Sequence, residues 1–181
     1  MNTINFIVWF QPIIFMIHDF EEIIMAEVWG KRFKTEIDTT WPGRKPFGIN
    51  YIRHCQTPTF SIGVGVEFLI FTVICLFSVA LQNYFIWMGA FIGISLHMIL
   101  IHVPLCFRIK HYVPGVMTSL IFFVPSVWLI YQAILLLHYD VANVLLACLL
   151  GAALVAVVIP LLHKSMGSWS EMLYRYSKKK A

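Results

Sequence analysis

Apolar runs of membrane-crossing length constrain this chain more than any other feature. Several stretches reach the ~20 residues that a spanning helix needs, and the charged residues fall mostly between them. Composition agrees: 60% of the 181 residues are hydrophobic and 12% charged, with a mean hydropathy of +0.80. A soluble domain sits nearer 45–50% apolar and about 25% charged. The pattern predicts an all-α membrane protein forming one domain over 1–181, a five-helix transmembrane bundle. The expected helices are at about 4–29, 59–81, 84–107, 112–137 and 141–162, with a polar loop at 30–58 and a basic tail at 163–181. The first basic residue is Lys31, so no positively charged region precedes the first apolar run and no cleaved signal peptide is expected.

The basic residues set an expected orientation. Six lie in the loop after the first helix, two in the loop after the third (Arg108 and Lys110) and five in the tail, which accounts for all 13. With five helices those three segments share one side, and an excess of Lys and Arg marks the cytoplasmic side. The expectation is therefore an outside N-terminus and a cytoplasmic C-terminus. The net charge of +4 lies in loops and tail, so it gives no nucleic-acid footprint.

Against that background the run His18-Asp19-Phe20-Glu21-Glu22 stands out inside the first apolar stretch. Helix positions i, i+3 and i+4 share a face, so His18, Glu21 and Glu22 are expected to point one way, with Asp19 about 100° round. Glu67 is the only charge in the second helix, and His97 and His102 lie in the third. At ~1.5 Å per residue, Glu21 and His18 lie about 12 and 16 Å in from Trp29, Glu67 about 13 Å in from Pro58, and His102 and His97 about 9 and 16 Å in from Arg108. Side chains from three helices thus converge on one layer.

The cost of that layer is high. Insertion scales put three central acidic residues at about 8–10 kcal/mol, while roughly fifteen apolar residues return ~5–9 kcal/mol. No Lys or Arg lies within a helix interior to compensate. That leaves protons or a metal ion, and imidazoles beside carboxylates suit Zn²⁺ or Fe²⁺. The expected metal ligands are His18, Glu21, Glu22, Glu67 and His102, with His97 less well placed because i and i+5 do not share a helical face cleanly. Asp19 is expected to orient an imidazole rather than to bind the ion. Two divalent ions neutralise four carboxylates and one ion only two, so either number is open.

The remaining signals are weaker. Cys55, Cys75, Cys106 and Cys148 form no C-x-x-C pair and read as packing residues or free thiols. His54, His111, His138 and His163 fall in loops or at interfaces and read as solvated. Thr118 and Ser119 are placed to line a cavity, but hydroxyls in such helices usually bond their own backbone. The turn-rich stretch from Trp41 to Gly48 makes 30–58 a connecting loop or a flap over the site.

His18-x-x-Glu21-Glu22 resembles the signature of the HXXEE family of bacterial membrane proteins. The later His102, followed by Tyr112-x-Pro114-Gly115-x-x-Thr118, is similar to that family's second block, and Glu67 to an acidic residue between the two. The resemblance spans residues 18 to about 120. It implies an integral protein of the bacterial inner membrane and supplies no reaction. The sequence lacks the E-E-x-x-x-R continuation of CAAX-type membrane proteases and the repeated H-x-x-H-H boxes of lipid desaturases.

The leading expectation is a metal-dependent membrane enzyme acting on a lipid-borne or apolar small-molecule substrate at the cytoplasmic leaflet. Glu21 or Glu22, whichever is not a ligand, would serve as general base. A proton- or ion-coupled transporter is the second expectation, although five helices without a repeat lack the paired halves common in transporters. A structural or regulatory membrane subunit is the third. Membrane lipids are the expected surroundings, and nucleic acid is not an expected partner.

Overall fold

Hydrophobic length decides the architecture, and its interruptions decide where the helices bend. The structure, a computed structural model, describes residues 3–42 and 56–178. Among the described residues, five helical spans are long and apolar enough to cross a membrane: Thr3–Arg32, Thr57–Leu81, Phe85–Ile109, Val116–Leu137 and Val141–Ser177. Every other described element is a short helix or turn. The short connections at 82–84, 110–115 and 138–140 make successive spans antiparallel.

The first span is α1 (Thr3–Val8) and α2 (Phe10–Arg32), broken at Trp9. The break has a cause three residues on. Pro12 has no N–H for the Val8 carbonyl, which instead accepts from the buried Trp87 indole at 3.2 Å and the Cys75 thiol at 3.5 Å. The segment read as loop contains α3 (Lys34–Thr40), a two-turn helix. Its Ile37 packs with Trp29, Ile109 and Val113, an apolar contact too local to register as periodicity. Most of the turn-rich stretch from Trp41 to Gly48, read as part of a loop or flap, lies outside the described residues.

The second span, α4 (Thr57–Leu81), has Pro58 in its first turn. Its N-terminus is anchored by Glu27 of α2, whose carboxylate accepts from the Thr57 amide (2.8 Å) and hydroxyl (3.0 Å). The third span is central: α5 (Phe85–His97), a π-helical turn over Met98–His102, and α6 (Val103–Ile109). Residues Trp87 to Ser95 are all buried, and Trp87, Met88 and Phe91 form the core with Phe15 and Phe71. The fourth span, α7 (Val116–Leu137), begins at 116 rather than 112, because Tyr112 to Gly115 form a non-helical approach ending in a left-handed Gly115 (φ +84°).

The last helix, α8 (Val141–Ser177), is capped by Asp140, whose carboxylate accepts from the Asn143 amide at 2.8 Å. It runs on past the expected end at 162. The tail contains no Pro after 160, it packs Met166 and Trp169 against Ala26 and Phe60, and Glu171 pairs with Arg175 at i+4. Its 37 residues reach about 55 Å. α8 lies against α5 so closely that a Cβ on Gly93 would sit 2.7 Å from the Gly151 carbonyl oxygen. Only glycine permits that approach, and it fixes α8 beside the third span.

Candidate metal centre

The site is built from two sequence blocks that fit together as one unit. On α2, His18 and Glu22 are one turn apart and face the bundle interior, with His18 Nε2 3.7 Å from Glu22 Oε1. Glu21, three residues from His18, turns instead to the start of α7. Helix N-termini leave amides without intrahelical partners, and Gly115 has no side chain to cap them. The Glu21 carboxylate takes that place: it accepts from the Thr118 amide (2.8 Å), the Met117 amide (3.4 Å), the Thr118 hydroxyl (2.6 Å) and the Tyr112 hydroxyl (2.6 Å). Burial first, and then this bond to Glu21, push the Tyr112 hydroxyl pKa up, which keeps it a donor.

These contacts decide the protonation of two histidines. Thr118 has one hydroxyl proton, with the Glu21 carboxylate at 2.6 Å and the Gly115 carbonyl at 3.2 Å as acceptors. The nearer carboxylate takes it, so His18 Nδ1 must donate to Thr118 Oγ1 at 3.0 Å. His102 Nδ1 lies 2.9 Å from the Pro114 carbonyl, which can only accept. Both rings therefore carry a proton on Nδ1 and turn Nε2 inward, toward Glu22 Oε1. An imidazole fixed through one nitrogen and free at the other is how metal-binding histidines are usually oriented.

The third histidine arrives through the π-helical turn. On a regular α-helix residues 97 and 102 would stand about 140° apart. The i→i+5 closure of a π turn brings positions five apart onto one side, and the His97 and His102 ring centroids are 5.1 Å apart. Pro104 explains the widening, since it offers no N–H to the Leu100 carbonyl. The His18 and His102 rings stand edge to face with centroids 4.9 Å apart.

One ligand atom from each of His18, Glu22, His97 and His102 lies within 4.8 Å of the other three. The closest contact is His102 Nε2 to Glu22 Oε1, 3.0 Å. With the proton on His102 Nδ1, both of these are acceptors, and they are stable at that distance only with a positive charge or a proton between them. Bonds to Zn²⁺ are about 2.0–2.2 Å, so two span at most about 4.4 Å. The four donors need close in by only a few tenths of an ångström to hold an ion.

The cluster opens on a cavity of about 100 Å³ that is also lined by Asp19, Glu67 and His163. Its walls are apolar, among them Phe15, Val64, Ile94, Leu105 and Leu162, and no Lys or Arg lines it among the described residues. Glu67 faces this cavity without belonging to the four-donor group, and Glu21 lines neither. Asp19 is buried, its Oδ2 has no hydrogen-bond partner, and the groups that orient the imidazoles are Thr118 and Pro114. His163, read from sequence as solvated, lines the cavity from α8. Its place just beyond the expected helix end at 162 hid that. Tyr112 and Thr118 were visible as motif letters but not as the partners of Glu21.

A helical protein with five membrane-length spans and a buried imidazole–carboxylate cluster is the class that fold and site define. A family model described as a protein of unknown function with HXXEE motif matches residues 9–130. The chain belongs to that HXXEE family, and the matched region holds both blocks of the site while leaving out α8. No curated protein and no solved structure matches the chain.

Proposed function

We propose that this protein is a metal-dependent enzyme of the bacterial inner membrane, acting on a lipid-borne or apolar substrate. The observation that carries the proposal is the 3.0 Å approach of His102 Nε2 to Glu22 Oε1, two acceptors with two further donors around them. His18, Glu22, His97 and His102 would hold the ion, and three imidazoles with one carboxylate suit Zn²⁺ or Fe²⁺. Such an ion supplies a Lewis acid in a water-poor site. Glu21, tied by its donors and absent from the cavity, holds His18 and the start of α7 in place. The apolar walls select an apolar substrate and keep water out.

Wild-type protein purified without chelator is expected to carry about one or more divalent ions per chain. A metal-free protein of unchanged fold would favour a proton on Glu22 and sink the metal reading. An enzyme is favoured over a transporter because, among the described residues, Phe15 packs with Phe71, Trp87, Met88 and Phe91 into an apolar core beyond the site. Proteoliposomes showing proton or metal flux that Glu67→Gln abolishes would reverse that preference.

The six, two and five distribution of basic residues supports a cytoplasmic C-terminus and a site that opens toward the inner leaflet. In intact cells an impermeant thiol reagent should label Asn2→Cys and miss Cys55. The opposite pattern would invert the orientation.

A further inference from the structure

Three carboxylates face the cavity, and the four-donor cluster uses only Glu22. The other two are Asp19 and Glu67. Both interact electrostatically with Glu22 and with each other. Asp19 is only 7% exposed, and its Oδ2 is buried with no hydrogen-bond partner. An ionised carboxylate so placed costs several kcal/mol unless a cation or donor meets it, and among the described residues no Lys or Arg lines the cavity to do so. One divalent ion balances two of the three charges.

A nitrogen donor reaches the same side from α8. α4 and α8 run antiparallel, and a Cβ on Gly63 would touch Trp169 at 3.5 Å. One turn further along α4 is Glu67, and one to two turns back along α8 is His163, so the two face the cavity at about the same level. His163 also lies close enough to His97 to interact electrostatically.

We propose that the cavity takes a second divalent cation, held by Asp19 of α2, Glu67 of α4 and His163 of α8, with Glu22 shared between the two ions. The proposal rests on the reading of the first site as a metal centre. The second set of donors does not form a preassembled group like the first, so the side chains close on the ion as it binds and this position fills second. Two divalent ions bridged by a carboxylate form the kind of pair that clamps both oxygens of a displacement reaction.

The test uses the full-length protein in detergent, stripped with chelator and reloaded with Mn²⁺. Wild type is expected to take up two ions per chain in sequence. The hyperfine-split resonance of isolated Mn²⁺ should appear first and then broaden as a coupled pair forms. Glu67→Gln and His163→Ala should each stop at one ion and keep the isolated signal. Two variants on different helices guard against one failing to fold. A wild type that saturates at one ion, or variants that still bind two, would overturn this inference and leave the first site standing. A wild type that binds none would overturn the first site as well.

Discussion

His102→Ala is expected to lose the metal altogether, and Thr118→Val to weaken its binding by about 10–100-fold. The two substitutions act on different parts of one device. His102 brings Nε2 to 3.0 Å from Glu22 Oε1, and its removal leaves the carboxylate facing a void. Thr118 touches no ion. Its hydroxyl joins Glu21 to His18, donating to the first at 2.6 Å and accepting from the second at 3.0 Å. Valine keeps the shape and removes the oxygen. His18 then has no acceptor for Nδ1–H, loses its fixed tautomer, and presents either nitrogen to the cavity. Metal content after equilibration against a graded chelator series measures both effects. Equal loss in the two variants would mean that Thr118 supports the fold rather than the tautomer. No loss in Thr118→Val would mean that His18 is held by packing alone.

That experiment bears on how far the sequence could be read. Hydrophobic length made the five spans legible, because ~20 apolar residues have few other uses. Depth along each helix was legible too, since rise per residue is constant. It placed Glu21, His18, Glu67, His97 and His102 in one layer, and all of these but Glu21 line one cavity. Direction around each helix was less legible. Glu21 and Glu22 are adjacent, and the sequence gives no reason to send one to the cavity and the other to the N-terminus of α7. That choice depends on where α7 begins, which Gly115 sets. His97 could not be aligned with His102 by counting, because the count assumes 3.6 residues per turn and the π-helical turn breaks that assumption. Pro104 was the available signal. It marks an unpaired carbonyl one turn back, though not how the helix will absorb it. His163 lay past the apolar run, where helix ends are judged by composition rather than by what they pack against.

The stretch Tyr112-x-Pro114-Gly115-x-x-Thr118 has physical reasons for its residues. Tyr112 donates to Glu21, and Pro114 offers the carbonyl that fixes His102. Thr118 couples Glu21 to His18. The imidazole–carboxylate face on α2 and the third span is thus held in register by the turn that leads into α7.

Gly115→Ala should cost the protein both its metal and part of its stability. The residue sits at φ +84°, where a Cβ meets the backbone and costs roughly 1–2 kcal/mol. The methyl would also lie 2.6 Å from His102 Cε1, 2.7 Å from Glu22 Oε1 and 2.8 Å from His102 Nδ1, well inside contact distance. One of three things must yield: the His102 bond to Pro114, the position of Glu22, or the approach of the turn to α2. Each is expected to pull the four-donor cluster apart. Gly65→Ala is the matched control. Gly65 lies in α4 with nothing within 4 Å of an added Cβ, and exchanging glycine for alanine in a helix is favourable by up to about 1 kcal/mol. Thermal unfolding in detergent, followed with and without added Zn²⁺, separates the outcomes. Wild type and Gly65→Ala should both gain stability from the ion. Gly115→Ala should unfold at a lower temperature without it and gain nothing when it is added. If Gly115→Ala is destabilised yet responds to Zn²⁺ as fully as wild type, the glycine serves the turn alone, and the close packing of the turn against His102 and Glu22 is not what holds the metal centre together.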